Sequence, residues 1–201
     1  MKFIIIGMHA SGKHEIANQL EEMGMKYGKL FSSVPNINDI TNIYAKSHFE
    51  QYDVNDVTDV FENNAYIFIQ GLQSSANINS FKFFEGLSKH TFDNNDVFVL
   101  SPDQLLNVIP SSISEEVCFI WMDGNNANRK NRYRAEKRNY DFNERESIEK
   151  QEIHSFVKFL YSFPNSKVLY FNNEAPNRVA SIISSLIKYP DLIEVYENNF
   201  N

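Results

Sequence analysis

Seven residues near the amino terminus constrain this chain more than any others. Gly7-Met8-His9-Ala10-Ser11-Gly12-Lys13 has the spacing Gly-x-x-x-x-Gly-Lys; the run Phe3-Ile4-Ile5-Ile6 precedes it, and Ile16, Leu20 and Met23 follow at i, i+4 and i+7. A continuous β-branched and aromatic run predicts a strand buried on both faces, as in a parallel sheet. The apolar stripe predicts an amphipathic helix from Lys13 to Met25, with Gly24 and Gly28 as stops. A glycine turn between such a strand and such a helix gathers backbone N–H groups and the positive end of the helix at one point, which suits phosphate oxygens. Gly7, Met8, His9, Ala10, Ser11 and Gly12 would form the cradle and Lys13 would reach the outer phosphates. Ser or Thr usually follows the lysine and touches Mg²⁺; here the residue is His14, which weakens that contact but leaves the backbone cradle. A glycine-rich turn with no ligand is the competing reading, disfavoured because motif, position and flanking elements agree.

Beyond the loop, Asp96 to Leu100 and Val117 to Trp121 are further buried-strand runs, Lys167 to Phe171 is a fourth strand, and Ala65 to Gln70 is a shorter extended candidate. Helices are expected around Phe81 to His90, from Pro102 through Leu105 and Val108, once or twice across residues 129–163, and from Val179 to Ile187. Strands alternating with helices predict an α/β fold: a parallel sheet covered on both faces. The 201 residues suit a single domain, and 42% hydrophobic content excludes a disordered chain. One cysteine, Cys118, excludes a disulfide scaffold and a cysteine zinc site and fits a reducing, cytoplasmic setting. His48, His90 and His154 lack ligand spacing, so no metal site made by the protein is expected; His9 and His14 receive no proton-transfer role. Met1 to Ile6 reads as a first strand and not as a signal peptide, and no apolar run approaches the roughly 20 residues of a membrane span.

The net charge of −7 argues against a nucleic-acid partner. The cations are unevenly placed, however. No arginine occurs before Arg129; Arg129, Arg132, Arg134, Arg138 and Arg145 then follow closely, with Arg178 alone elsewhere. Guanidinium groups grip phosphate bidentately. A solvated helix with Glu/Arg pairs explains the same stretch without a ligand. A phosphate loop and an arginine-rich segment in about 200 residues together suggest a small phosphotransferase, since phosphoryl transfer needs positioning and positive charge more than covalent help.

On three motifs the chain resembles the nucleoside monophosphate kinases, within them the guanylate-kinase-like group. They are the loop Gly7 to Lys13; Arg134-Ala-Glu-Lys-Arg138-Asn-Tyr-Asp141, similar to that family's lid, with Arg145 on the following helix; and Tyr170-Phe171-Asn172-Asn173-Glu174 leading into Val179-Ala180, similar to its late strand beside the adenine. The resemblance implies a three-layer P-loop NTPase fold, with a core of residues 1–28 and 94–201, a lid over about 126–147 and a monophosphate-binding insertion over 29–93. It implies ATP and Mg²⁺ as cofactors and transfer of the γ-phosphoryl group to a ribo- or deoxynucleoside monophosphate, by a monomer or homodimer. Lys13, Arg134, Arg138 and Arg145 would be catalytic; Asn172 and Asn173 would join the loop residues, His14 included, in holding ATP; Ser33, Tyr44, Glu85 and Asp103 would hold the acceptor. The insertion departs from the family: Pro35-Asn36-Ile37-Asn38 stands where a pair of arginines holds the acceptor phosphate, and residues 29–93 contain no arginine. The strand Asp96 to Leu100 ends in Ser101-Pro102-Asp103, where the family has its Mg²⁺-orienting acid. Two alternatives therefore stay open: a kinase of another small metabolite, and a binding module that has lost catalysis.

Overall fold

The computed structural model describes residues 1–32, 49–51, 66–73, 82–108, 113, 116–135, 141–160, 162–163, 166–172 and 174–193. In chain order the elements are β1 (Lys2–Gly7), α1 (Lys13–Glu22), β2 (Leu30–Ser32), β3 (Phe49–Gln51), β4 (Tyr66–Gln73), β5 (Lys82–Ser88), α2 (Lys89–Asn94), β6 (Val97–Leu100), α3 (Pro102–Leu106), β7 (Val117–Asp123), α4 (Asn126–Ala135), α5 (Phe142–Leu160), β8 (Lys167–Asn172) and α6 (Pro176–Lys188). Contacts divide the chain into two units, Met1–Tyr27 with Asn95–Leu106 and Glu115–Asn201, and Gly28–Asn94 with Asn107–Ser114.

The first unit is built on a four-stranded parallel sheet in the order β6-β1-β7-β8. β1 lies inside it, hydrogen-bonded on both sides, and all six of its residues are buried. Alternation sends Phe3 and Ile5 to one face and Ile4 and Ile6 to the other. Phe3 and Ile5 share a core with Val97, Cys118, Ile120 and Leu169, covered by Ile16, Ala17 and Leu20 of α1 and Val179, Ile183 and Leu186 of α6. On the opposite face Phe119 meets Phe163 edge-on at 5.3 Å, and Phe163 meets Phe159 of α5 at 5.2 Å. This is an α/β fold: a parallel four-stranded sheet flanked by helices. Among the described residues no helix is long and apolar enough to cross a membrane.

The second unit carries a mixed sheet in the order β3-β2-β5-β4, where β2 is parallel to β3 and β5 is antiparallel to both β2 and β4. Here the sequence misleads. Of the stretch from Phe81 to His90, expected as a helix, Lys82–Ser88 is the strand β5 and Lys89 and His90 open the short helix α2; Phe81 lies outside the described residues. The residues explain the outcome: Phe83-Phe84 favours a strand and Gly86 weakens a helix. A Cβ on Gly86 would lie 2.5 Å from the Phe68 carbonyl oxygen and 2.7 Å from the Phe31 ring, so close backbone approach in the sheet needs that glycine. The helix begins only after Ser88, whose Oγ caps it by accepting the Thr91 N–H at 3.0 Å.

The sheet's energetics can be tested at two positions. Ile5 is fully buried and Val168, on the outer face of β8, is 39% exposed. Ile5→Ala is expected to cost about 2–5 kcal/mol in urea denaturation, and Val168→Ala within about 0.5 kcal/mol.

Candidate functional site

Ligands of open parallel sheets bind beyond the carboxyl ends of the strands. In the first unit that edge carries the loop after β1, Asp103 after β6, Asp123 closing β7 and Asn172 closing β8. The loop's shape depends on two glycines. Gly7 has φ +148° and packs so tightly on Met122 that a Cβ would run into its carbonyl oxygen. Gly12 has φ +97°, leads into α1 and offers no side-chain cap, so the first-turn amides of α1 face outward from the helix end without one. Between them Ala10 holds φ +57°, a left-handed conformation that costs a non-glycine residue about 1–2 kcal/mol. The Lys13 ammonium folds across the turn, donating to the carbonyls of Gly7 at 2.7 Å and Met8 at 2.8 Å. Ser11 Oγ is buried without a hydrogen-bond partner.

The arginine-rich segment meets this loop. Asn125 Oδ1 accepts the Ala127 N–H at 2.8 Å as α4 starts; Asp141 Oδ1 accepts the N–H groups of Asn143 at 2.7 Å and Glu144 at 3.1 Å as α5 starts. These caps set where the two helices begin. Arg129 of α4 is 2% exposed and Glu149 of α5 is 1% exposed. Arg129 Nε donates to the His9 carbonyl at 2.9 Å, while its other nitrogens reach Glu146 at 3.3 Å and Glu149 at 3.5 Å. The Glu149 carboxylate accepts the His9 N–H at 2.9 and 3.0 Å. A small apolar cluster of Ala10, Tyr133 and Phe142 pins the same turn, with the two rings edge-on at 5.4 Å. Arg132 of α4 lies along the loop's far end: a Cβ on Gly12 would sit 3.4 Å from its Nη1.

The expected site residues divide accordingly. The loop and Lys13 stand as described. His14 Nδ1 is in hydrogen-bond contact with the Tyr27 hydroxyl at 3.1 Å. Arg134 is exposed on the last turn of α4. Arg145 Nε donates to Glu149 at 3.2 Å and Nη2 to Asp103 at 3.3 Å, so Asp103 is engaged within the first unit. Asn172 is exposed at the end of β8, in register with Asp123. Glu85 is buried on β5 in the second unit, opposite Ser32 and Gln70. Ser33, Tyr44, Arg138 and Asn173 lie outside the described residues. Arg129, Arg132 and Glu149 are site residues that the sequence reading did not single out. The signal was spacing: Arg129 and Arg132 at i, i+3 share one helix face, as do Arg145 and Glu149 at i, i+4.

Along the same edge, the Tyr170 hydroxyl donates to Asp123 Oδ2 at 2.8 Å. Partial burial, that hydrogen bond and the carboxylate's charge push the phenol up to about 12.

No protein-family model matches the chain, and no curated protein matches it. Among solved structures it is similar to the unliganded crystal structure of a sugar kinase from Janibacter sp. HTCC2649, with 12% identity, 96% of each chain covered and a TM-score of 0.40. A likeness this distant carries no argument about fold or reaction.

The Tyr170–Asp123 pair makes a pH prediction. The folded-state phenol titrates above its unfolded value of 10.0, so its contribution to stability is complete below about pH 10 and is lost as pH rises towards about 12. Tyr170→Phe is expected to flatten the alkaline fall in stability over that window, measured by urea denaturation at stepped pH. An unchanged alkaline limb would remove the pair from the account.

Proposed function

We propose that this chain is an ATP-dependent phosphotransferase of the nucleoside monophosphate kinase type, carrying the γ-phosphoryl group of ATP to a ribo- or deoxynucleoside monophosphate. The observation that supports this most is the convergence, within the first unit, of the buried Lys13 ammonium, the Arg132 guanidinium beside Gly12 and a helix terminus with no side-chain cap. Cations and amide dipoles gathered at one turn suit an anion with several oxygens. Lys13 would exchange its two loop carbonyls for β- and γ-phosphate oxygens, and the amides from Ala10 to His14 would hold the β-phosphate. Arg132, with Arg134 and Arg138 of the lid that the resemblance implies, would face the migrating group. An acceptor phosphate oxygen then bonds to the γ-phosphorus as the bond to the β–γ bridging oxygen breaks, and that electron pair leaves on ADP.

Mg²⁺ would supply positive charge to the transferring phosphates. Such an ion would be held chiefly by nucleotide phosphates and water with one or two carboxylates. Asp123 and Asp103 are carboxylates on the sheet edge. The exposed Asn172 would lie on the adenine side, while Ser33, Tyr44 and Glu85 are assigned to the acceptor by the resemblance alone. The arginine-free insertion favours an acceptor other than guanylate, and a different small metabolite is the reading that this feature supports next. His14, its ring engaged by Tyr27, favours a binding module without turnover.

ADP formation measured against a panel of nucleoside monophosphates and other phosphate acceptors separates the three. One monophosphate is expected to drive turnover. Arg138→Ala is expected to lower kcat at least about 100-fold with the melting temperature unchanged. ADP release with a non-nucleotide acceptor alone would support the second reading, and ATP binding without turnover on any acceptor the third.

A further inference from the structure

We infer that Arg129 and Glu149 are positioning residues that hold the phosphate loop in its ligand-ready shape by gripping His9 at both ends of its backbone. The inference rests on the reading of that loop as a triphosphate cradle. His9 donates its N–H to the Glu149 carboxylate, and its carbonyl accepts from Arg129 Nε at 2.9 Å. The two bonds fix successive peptide planes, those on either side of the His9 Cα. Ala10 comes next, in its left-handed conformation, and from there the chain turns so that the following amides line the cradle. The ion pair thus acts on the point where the turn is decided.

Stability alone does not explain this arrangement. A buried ion pair is often replaceable by apolar residues of similar volume without loss of stability; an apolar pair, however, offers His9 neither a donor nor an acceptor. Neighbouring structure is shaped to admit the pair. Gly124 lacks the Cβ that would press on the Arg129 stem at 3.0 and 3.2 Å and on the Ser11 Cα at 3.4 Å. Arg145 bonds Glu149 at 3.2 Å and Asp103 at 3.3 Å. The carboxylate that holds the loop after β1 is therefore tied to the helix after β6. Arg145, the lid arginine of the sequence reading, is placed to orient Glu149.

Two variants separate positioning from packing. Glu149→Gln keeps a carbonyl oxygen for the His9 N–H but breaks the ion pairs. The double variant Arg129→Met with Glu149→Leu removes the charges together and keeps the volume. ADP affinity is read by calorimetry, melting temperature by circular dichroism and loop order by amide hydrogen exchange at Ala10–Gly12. For Glu149→Gln the melting temperature is expected to fall, because Arg129 loses its buried partner, while ADP is bound more tightly than by the double variant, because the His9 N–H keeps an acceptor. For the double variant the melting temperature is expected to hold, with ADP bound at least about tenfold more weakly, as misplacement of a binding group predicts. Its loop amides are expected to exchange at least about tenfold faster, with β1 and α1 unchanged. Packing alone would move melting temperature and affinity together. ADP affinity at the unsubstituted level and unaltered loop exchange in the double variant would overturn the proposal. So would weaker ADP binding by Glu149→Gln than by the double variant. If the unsubstituted protein itself fails to take ADP, the nucleotide reading falls, and the exchange data still decide the clamp.

Discussion

A carboxylate with almost no contact with water must find its compensation inside the protein, and Glu149 finds it in two guanidinium groups and one backbone N–H. Each of those partners belongs to a different stretch of the chain: Arg129 to α4, Arg145 to α5 itself, and His9 to the turn after β1. Removing one member of such a group leaves a buried charge exposed to low dielectric, at a cost of about 3–5 kcal/mol. The arrangement ties the arginine-rich helices to the glycine turn. The Tyr133–Phe142 cluster under Ala10 reinforces the connection with apolar contact.

The sheet makes this meeting possible. A parallel sheet places all its strand ends on one edge, so residues far apart in sequence arrive there together. The turn after β1, Asp103 after β6, Asp123 at the end of β7 and Asn172 at the end of β8 share that edge because the order is β6-β1-β7-β8. β1 is central and buried, which gives the turn after it a rigid base. Rigidity has a counterpart in the turn itself, where a non-glycine residue is held left-handed. A strained residue persists where its surroundings over-determine it, and here they do so through hydrogen bonds on one side and aromatic packing on the other.

Much of the first unit was legible in the sequence because its signals are local and redundant. Phe3 to Ile6, Val97 to Leu100, Val117 to Trp121 and Val168 to Phe171 are continuous apolar runs, and each lies in a strand of the parallel sheet. The loop announced itself by spacing. The second unit was less legible: β2 and β3 are three residues each, too short for any periodicity, and β5 was mistaken for a helix because long-range pairing with β4 decides its state. In the site, sequence pointed to an arginine-rich segment but not to which arginines meet the loop. Arg129 and Arg145 look like any exposed helix cations until Glu149 is seen to be buried between them. A buried ion pair leaves no trace in composition, and its partners, at positions 9, 129 and 149, are joined only by the fold.

The central claim is that the turn from Gly7 to Lys13 and the α4 guanidinium groups serve one triphosphate. Backbone-amide and guanidinium nuclear magnetic resonance shifts during titration with ATP test it most directly. The account predicts that the largest changes fall on the amides from Ala10 to His14 and on the Arg132 side chain. Changes confined to other surfaces, with those amides unmoved at saturating ATP, would contradict it.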